Sequence, residues 1–285
     1  MEIQRLSAFA DAGRGGNPAG VVIGDALPPP AEMQRIAAEI GYSETAFAAP
    51  DGAGGWTVRY YAPAAGVAFC GHATIALGVA LGRRAGPGRF PLALRDAAIS
   101  VEATRDGADW RAALTSPPTR SAPLDPGLRD RLLALFDLTA GDLDPRLPPR
   151  LAEAGERHAI LALRDRARLA AMAYPFYAGQ ALMRDARLTT ISLLQIETPR
   201  LIHSRNAFAI GGVVEDPANG AAAAALGGAL VDLDWDGLRE GGAFTVLQGA
   251  DMGAPSRLEV TVTGTQGDPV TVAGAVRDIA EGDVE

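Results

Sequence analysis

The stretch FCGHATIALGVALG, residues 69–82, decides how the chain is read, because a second stretch about half the chain away follows the same plan. That second stretch is EDPANGAAAAALGGAL, residues 215–230. Placing Gly71 on Gly220 brings Leu77 onto Leu226, Gly78 onto Gly227, Ala80 onto Ala229 and Leu81 onto Leu230. In each, a polar cluster precedes a glycine and a run of small residues follows it. Residues 73–81 and 221–231 carry no charge, so each is expected to form a helix buried on every side. Glycine costs about 1 kcal/mol against alanine inside a helix. The glycines here are therefore expected where the backbone of a neighbouring element comes close. A helix start presents free N–H groups and a partial positive charge, which suits a carboxylate. Two such starts point to a duplicated fold with two anion-binding ends.

The upstream sequence hints at the same repeat. Arg59 and Gly66–Val67 are separated as Arg205 and Gly212–Val213 are, which leaves the second copy three residues longer before its glycine. Strands are expected over 3–9, 21–23, 43–49, 56–62, 92–94, 99–103, 110–115, 158–163, 188–197, 202–209, 243–248, 258–262 and 270–276. Helices are expected over 31–39, 127–136 and 167–172. Residues 117–126 are rich in proline without a periodic pattern and are expected to cross between the halves. The halves are then 1–116 and 117–269, with a final strand, about 270–285, returning to the first.

Composition narrows the function. Hydrophobic residues make up 48 % of the 285 and charged residues 21 %, which is ordinary for a globular protein. A net charge of −8 disfavours nucleic acid as a partner. No apolar run approaches the roughly 18 residues of a membrane span, so no membrane partner is expected. The first residues lack a signal-peptide core, and the cytoplasm is the expected location. Cys70 is the single cysteine, which excludes intrachain disulfides and two-cysteine chemistry. The chain has no lysine, which excludes a pyridoxal-phosphate Schiff base and a P-loop.

The residues able to carry chemistry flank the two helix starts: Cys70 and His72 at the first, Glu215, Asp216 and Asn219 at the second. Glu44 stands out further upstream in the apolar stretch GYSETAFAAP. Burying its carboxylate would suit it to proton transfer near neutrality. Each has a plainer alternative: Glu44 facing solvent on an edge strand, His72 as a cap or core hydrogen-bonding group, Asp216 as a helix cap. Cys70 and His72 are spaced like two metal ligands, but zinc needs three or four, so no metal is expected.

Taken in order, GNPAGVV (16–22), SETAF (43–47), FCGHAT (69–74), EDPANG (215–220) and QGADMGAPSRL (248–258) resemble the phenazine biosynthesis PhzF-like family. The resemblance covers nearly the whole chain. It implies an α+β fold of the diaminopimelate-epimerase-like kind, with two pseudo-symmetric halves. Each half would be a rolled, mostly antiparallel sheet around a central helix. It implies a cofactor-independent isomerase that moves a proton within a small carboxylate-bearing substrate. Glu44 matches the family's proton-moving glutamate, Asp216 its substrate-placing aspartate, and His72 the histidine beside the substrate's polar groups. Ser43, Cys70, Gly71, Asn219, Gly220 and Ala221 are then expected to bind substrate, in part through backbone N–H groups. Homodimers are common in the family, and a homodimer is expected.

The chain also departs from the family pattern. Asn219 and Ala221 stand where threonine and serine are usual, Gly66 where an acid is common, and Ala254 where arginine is usual. The acid–base set is kept while the binding shell differs, which favours proton transfer on a substrate other than the phenazine precursor. Two alternatives remain open: an amino-acid-type racemase or epimerase, and a binding protein that kept the fold and lost catalysis.

Overall fold

The computed structural model describes residues 2–280. The chain divides into two compact units, one formed by residues 1–115 with 273–285 and the other by 116–272. Of the final strand expected over about 270–285, the structure shows Pro269–Asp278, and residues 281–285 lie outside the described residues.

The first unit is one mixed sheet rolled on a helix. Glu2–Ala10 pairs antiparallel with Asn17–Ile23, which runs parallel to Glu44–Pro50. Glu44–Pro50 pairs antiparallel with Trp56–Tyr61. That strand holds the short Gly66–Val67 antiparallel and Gly88–Ala93 parallel, and Ala98–Asp106 and Asp109–Pro118 extend the sheet antiparallel. The first central helix, Gly71–Ala85, packs against strands from both ends of this order, so the sheet curls around it. Every residue from His72 to Gly82 is buried, as the uncharged run requires. Helix Pro30–Ile40 covers the outer face, with Met33, Ile36 and Ala37 on Val22, Phe47 and Tyr61.

The second unit repeats the plan. Arg150–Glu153, Arg157–Leu163, Thr190–Thr198 and Leu201–Ala207 are joined by antiparallel, parallel and antiparallel ladders in turn. Leu201–Ala207 then takes the short Glu215–Asp216 antiparallel and Gly242–Gln248 parallel, and Ser256–Val262 closes the order. The second central helix, Gly220–Asp232, is buried from Ala222 to Val231. Helices Pro126–Leu135, Arg166–Ala170 and Phe176–Ala186 cover the outer face with a larger apolar cluster that includes Leu132, Leu161, Met183 and Leu193.

Residues 117–126, expected as the crossing between the halves, hold the strand Arg120–Pro123, paired with Arg150–Glu153, its prolines kept to the neighbouring residues and its end. Three expectations are corrected. Strand Arg150–Glu153 and helix Phe176–Ala186 were not anticipated; Pro175 opens the helix and Gly179, Leu182 and Met183 are its buried face. The three extra residues of the second copy lie elsewhere in the alignment. Tyr60 pairs with Val67 as Asn206 pairs with Asp216, so Gly66–Val67 corresponds to Glu215–Asp216. The insertion therefore falls in the turn around Ala209–Gly211. Finally, side chains rather than backbone crowd the helix glycines: a Cβ on Gly78 would stand 2.5 Å from Val101 Cγ2, and one on Gly82 2.6 Å from Trp110 Cζ3.

Candidate active site

The first helix start gathers Ser43, Glu44, Cys70, Gly71 and His72. Glu44 begins a strand paired on both sides, with Asn17–Ile23 and with Trp56–Tyr61, so it is not on a sheet edge. Its side chain keeps 22 % of its exposure, less enclosed than the apolar stretch suggested. Glu44 Oε2 lies 3.5 Å from His72 Nε2 and accepts from the Cys70 thiol at 3.5 Å. Cys70 Sγ is 3.3 Å from His72 Nδ1, and Ser43 Oγ is 3.4 Å from His72 Nε2. Burial holds His72 below the usual histidine pKa, opposed by the Glu44 charge and by a bond from the ring to the Pro18 carbonyl. His72 is thus a neutral imidazole set between a carboxylate and a thiol.

A buried hydroxyl chain fixes this helix start from beneath. Tyr60 OH lies 2.6 Å from Thr74 Oγ1, and the Thr74 hydroxyl donates to the Cys70 carbonyl at 2.6 Å. With its single proton committed to Cys70, Thr74 accepts from Tyr60. Desolvation pushes the Tyr60 phenol well above its ordinary pKa, so it stays a donor. Cys70 is extended and gives no side-chain cap, which leaves the first-turn N–H groups without a side-chain acceptor from that residue.

The second helix start gathers Asp216, Asn219, Gly220 and Ala221. Asn219 Oδ1 accepts from the Ala222 N–H at 2.8 Å, so Asn219 is the cap and Asp216 is not. Asp216 instead accepts from the Ala218 N–H at 3.1 Å and from Asn219 Nδ2 at 2.9 Å. Gln248 Nε2 donates to the Asp216 carbonyl at 2.7 Å. Gly249 makes this approach possible: its φ is +76°, and a Cβ there would stand 2.2 Å from the Ala254 carbonyl oxygen and 2.7 Å from that of Pro217.

Sequence reasoning did not anticipate the buried pair behind Asp216. Arg205 donates through Nε to both Glu215 oxygens, at 3.0 and 3.1 Å, and through Nη2 to Oε2. Its Nη1 reaches the Ala170 carbonyl at 2.7 Å, which ties strand, turn and outer helix together. In the first unit the corresponding residues are Arg59 and Gly66, and Arg59 bonds the Val58 and Ala93 carbonyls. The counterpart of Glu44 differs as well. Ala19 pairs with Glu44 as His158 pairs with Thr190, and Ala46 pairs with Tyr60 as Ser192 pairs with Asn206. There His158 Nδ1 meets Thr190 Oγ1 at 2.8 Å, and Asn206 Nδ2 donates to both Thr190 and Ser192 at 2.9 Å. Burial pushes His158 down to about 3, which keeps it a neutral structural group.

Similarity to known proteins agrees with this architecture. A sequence model of the phenazine biosynthesis-like protein family matches residues 6–282. The uncharacterised isomerase YddE of Escherichia coli O157:H7 is 30 % identical over 96 % of this chain and 95 % of its own. The trans-2,3-dihydro-3-hydroxyanthranilate isomerase of Pseudomonas fluorescens is 30 % identical over 88 % of this chain and 86 % of its own. The crystal structure of a PhzF-family phenazine biosynthesis protein from Bacillus anthracis superposes with a TM-score of 0.84 at 21 % identity, covering 98 % of both chains. The chain therefore belongs to the phenazine biosynthesis-like family, has the diaminopimelate-epimerase-like α+β fold, and is an isomerase.

Proposed function

We propose that this isomerase moves a proton between carbons of a small carboxylate-bearing metabolite without a cofactor, with Glu44 as the shuttle. The observation that carries the reading is the placing of Glu44. It is a partly exposed carboxylate held at a strand start, 3.5 Å from both a neutral imidazole and a thiol. An ionised Glu44 takes the proton from a carbon made acidic by a neighbouring unsaturated or carbonyl group, then returns it to another carbon as the free acid. His72, a neutral donor and acceptor, and the Ser43 hydroxyl beside it hold the substrate's polar groups in line with Glu44. The Cys70 thiol lends Glu44 a hydrogen bond.

The N–H groups of Gly71 and His72 bind the substrate carboxylate in this scheme, because helix starts favour anions. Asp216 places a polar substrate group, assisted by the N–H groups of Gly220 and Ala221 and by Asn219. A substrate of the dihydroanthranilate type has the carboxylate and activated carbon required, although Ala221 offers no hydroxyl to it. The protein acts in the cytoplasm as a homodimer, which light scattering at twice the chain mass would test.

Solvent deuterium incorporation is the decisive measurement. Wild type incubated in D2O with a panel of cyclic acids related to trans-2,3-dihydro-3-hydroxyanthranilate is expected to label a carbon of at least one of them. Glu44→Gln is expected to lose that labelling by about 100-fold or more, the usual range for a general base. Equal labelling by both proteins removes Glu44 from the role.

A further inference from the structure

We propose that a cavity in the second unit, lined by Arg187, Leu188, Thr189, Phe208, Ile210 and Gly211, binds a small carboxylate with an apolar body. Arg187 would take the acid group, and Phe208 and Ile210 the apolar part. The cavity measures about 450 Å3. Small-molecule sites usually fall between about 300 and 1,000 Å3 and are mainly apolar, with a few polar groups that converge. Here one guanidinium and one hydroxyl stand among leucine, isoleucine and phenylalanine side chains.

Arg187 occupies a residue position that suits glycine. It ends helix Phe176–Ala186 at φ +55°, ψ +45°, and the next N–H, that of Leu188, returns to the Met183 carbonyl at 2.8 Å. Glycine is usual at that point of a helix end, because a side chain there carries a conformational cost. The first unit follows the rule. Thr190 matches Glu44 by strand register, so Arg187 matches Gly41, the left-handed residue after helix Pro30–Ile40. The Arg187 guanidinium makes no ion pair among the described residues, and the nearby Asp185 is taken by Arg131 at 2.8 Å. An unpaired guanidinium on the rim of a cavity, kept at a residue glycine would fill more easily, points to a ligand. Its planar fork matches a carboxylate through two parallel hydrogen bonds.

The opposite wall is built in advance. Gln180 Nε2 donates to the Ala209 carbonyl at 3.2 Å, and the Tyr174 hydroxyl donates to the Val214 carbonyl at 2.5 Å. The Phe208 N–H reaches that same carbonyl at 3.2 Å, so the turn is tied at both ends. Gly211 lets the Phe208 ring lie flat against the turn, since a Cβ there would run into the ring. Thr189 matches Ser43, the hydroxyl beside His72 in the first unit. None of the six lining residues belongs to either helix start, so the cavity is a site additional to the Glu44 cluster.

Amide signals of the full chain, followed by two-dimensional nuclear magnetic resonance as benzoate is added, test the site without turnover. Benzoate is expected to shift the signals of residues 187–189 and 208–211 in one saturable process. Arg187→Gly is expected to weaken that binding at least about tenfold, the range of a lost hydrogen bond to a charged group. Its thermal midpoint is expected to stay at or above that of wild type, because glycine adopts the left-handed backbone freely. Gly211→Ala, which displaces the Phe208 ring and leaves Arg187 in place, is expected to weaken benzoate as well. Benzamide, which keeps the body and lacks the charge, and acetate, which keeps the charge and lacks the body, are both expected to bind more weakly than benzoate. The site is overturned by the absence of saturable shifts at these residues, by shifts confined to Gly71, His72, Gly220 and Ala221, or by equal binding in Arg187→Gly. Acetate binding as tightly as benzoate overturns the assigned ligand. No readout is catalytic, so the outcome is separate from whether Glu44 moves a proton.

Discussion

At the first helix start the capping position is Cys70, extended and without a side-chain cap, and its thiol turns to Glu44. At the second it is Asn219, also extended, whose amide caps Ala222 with one end and holds Asp216 with the other. The backbone plan is the same and the use of polar groups is opposite. The first start keeps a thiol, an imidazole and a carboxylate within reach of one another, with part of the set exposed. The second spends its polar groups on one another, and behind them Arg205 and Glu215 close a buried pair. The repeat thus holds two equivalent starts. One sets a thiol, an imidazole and a carboxylate against one another, and the other supports a single carboxylate.

The largest expected effect comes from breaking the support. Glu215 and Arg205 retain only 3 % and 11 % side-chain exposure. Glu215→Gln leaves a guanidinium buried without its counter-charge, and the expected loss is about 3–5 kcal/mol in denaturant unfolding. The first unit supplies the reverse experiment. Gly66 occupies the corresponding place beside Arg59, and a Cβ there would meet only the edge of the Tyr61 ring, at 3.4 Å. Gly66→Glu can therefore pair with a partly exposed Arg59, and the expected change stays within about 1 kcal/mol. A loss below about 1 kcal/mol for Glu215→Gln would mean that the support does not rest on this pair.

The matched glycines of the two central helices, Gly78 and Gly227, differ in how closely neighbouring strands crowd them. A Cβ on Gly78 would meet Val101 Cγ2 at 2.5 Å and Ala112 Cβ at 3.1 Å, both on neighbouring strands of the rolled sheet. A Cβ on Gly227 would meet methyls of Val270, Val260 and Val262 at 3.0–3.2 Å. Gly78→Ala is expected to lose about 1–3 kcal/mol to overpacking. Gly227→Ala is expected near neutral, because small valine shifts relieve the contact and alanine returns about 1 kcal/mol of helix preference. Thermal unfolding of both variants checks the order, and equal losses would show that the two matched positions are equally crowded.

What was legible in the sequence was whatever rests on local composition. Uncharged runs of small residues announced both central helices, and the matched Gly78 and Gly227 announced the repeat, because a rolled sheet admits few side chains at those positions. Helix Phe176–Ala186 was hidden by an apolar face of few residues, Leu182 and Met183 chief among them, on a helix that only completes a larger cluster. Strand Arg150–Glu153 is four residues long, too short for alternation to register. The insertion in the second copy was misplaced because the pairing of Gly66–Val67 is set by the sheet, not by its two residues. The candidate site was legible residue by residue, but its geometry was not. Glu44 and Cys70 are 26 residues apart, and only the fold sets the thiol against the carboxylate.

The smallest expected effect tests the contrast at the caps themselves. Asn219→Ala removes the acceptor of the Ala222 N–H and the donor to Asp216, and about 1 kcal/mol of stability is the expected loss. Cys70 sits at φ −147°, ψ 119°, close to the −114°, 101° of Asn219, so an asparagine there can cap without moving the backbone. Cys70→Asn is expected to gain up to about 1 kcal/mol at the helix start, since asparagine is among the strongest capping residues. The same change removes the thiol that donates to Glu44, so the more stable protein is expected to lose part of its deuterium labelling of substrate. Stability and reactivity then move in opposite directions at one residue. That is the expected pattern if the first start was left uncapped to keep its polar groups available. A Cys70→Asn protein less stable than wild type would show instead that the thiol is needed for packing, and the contrast between the two starts would then lie in their cores.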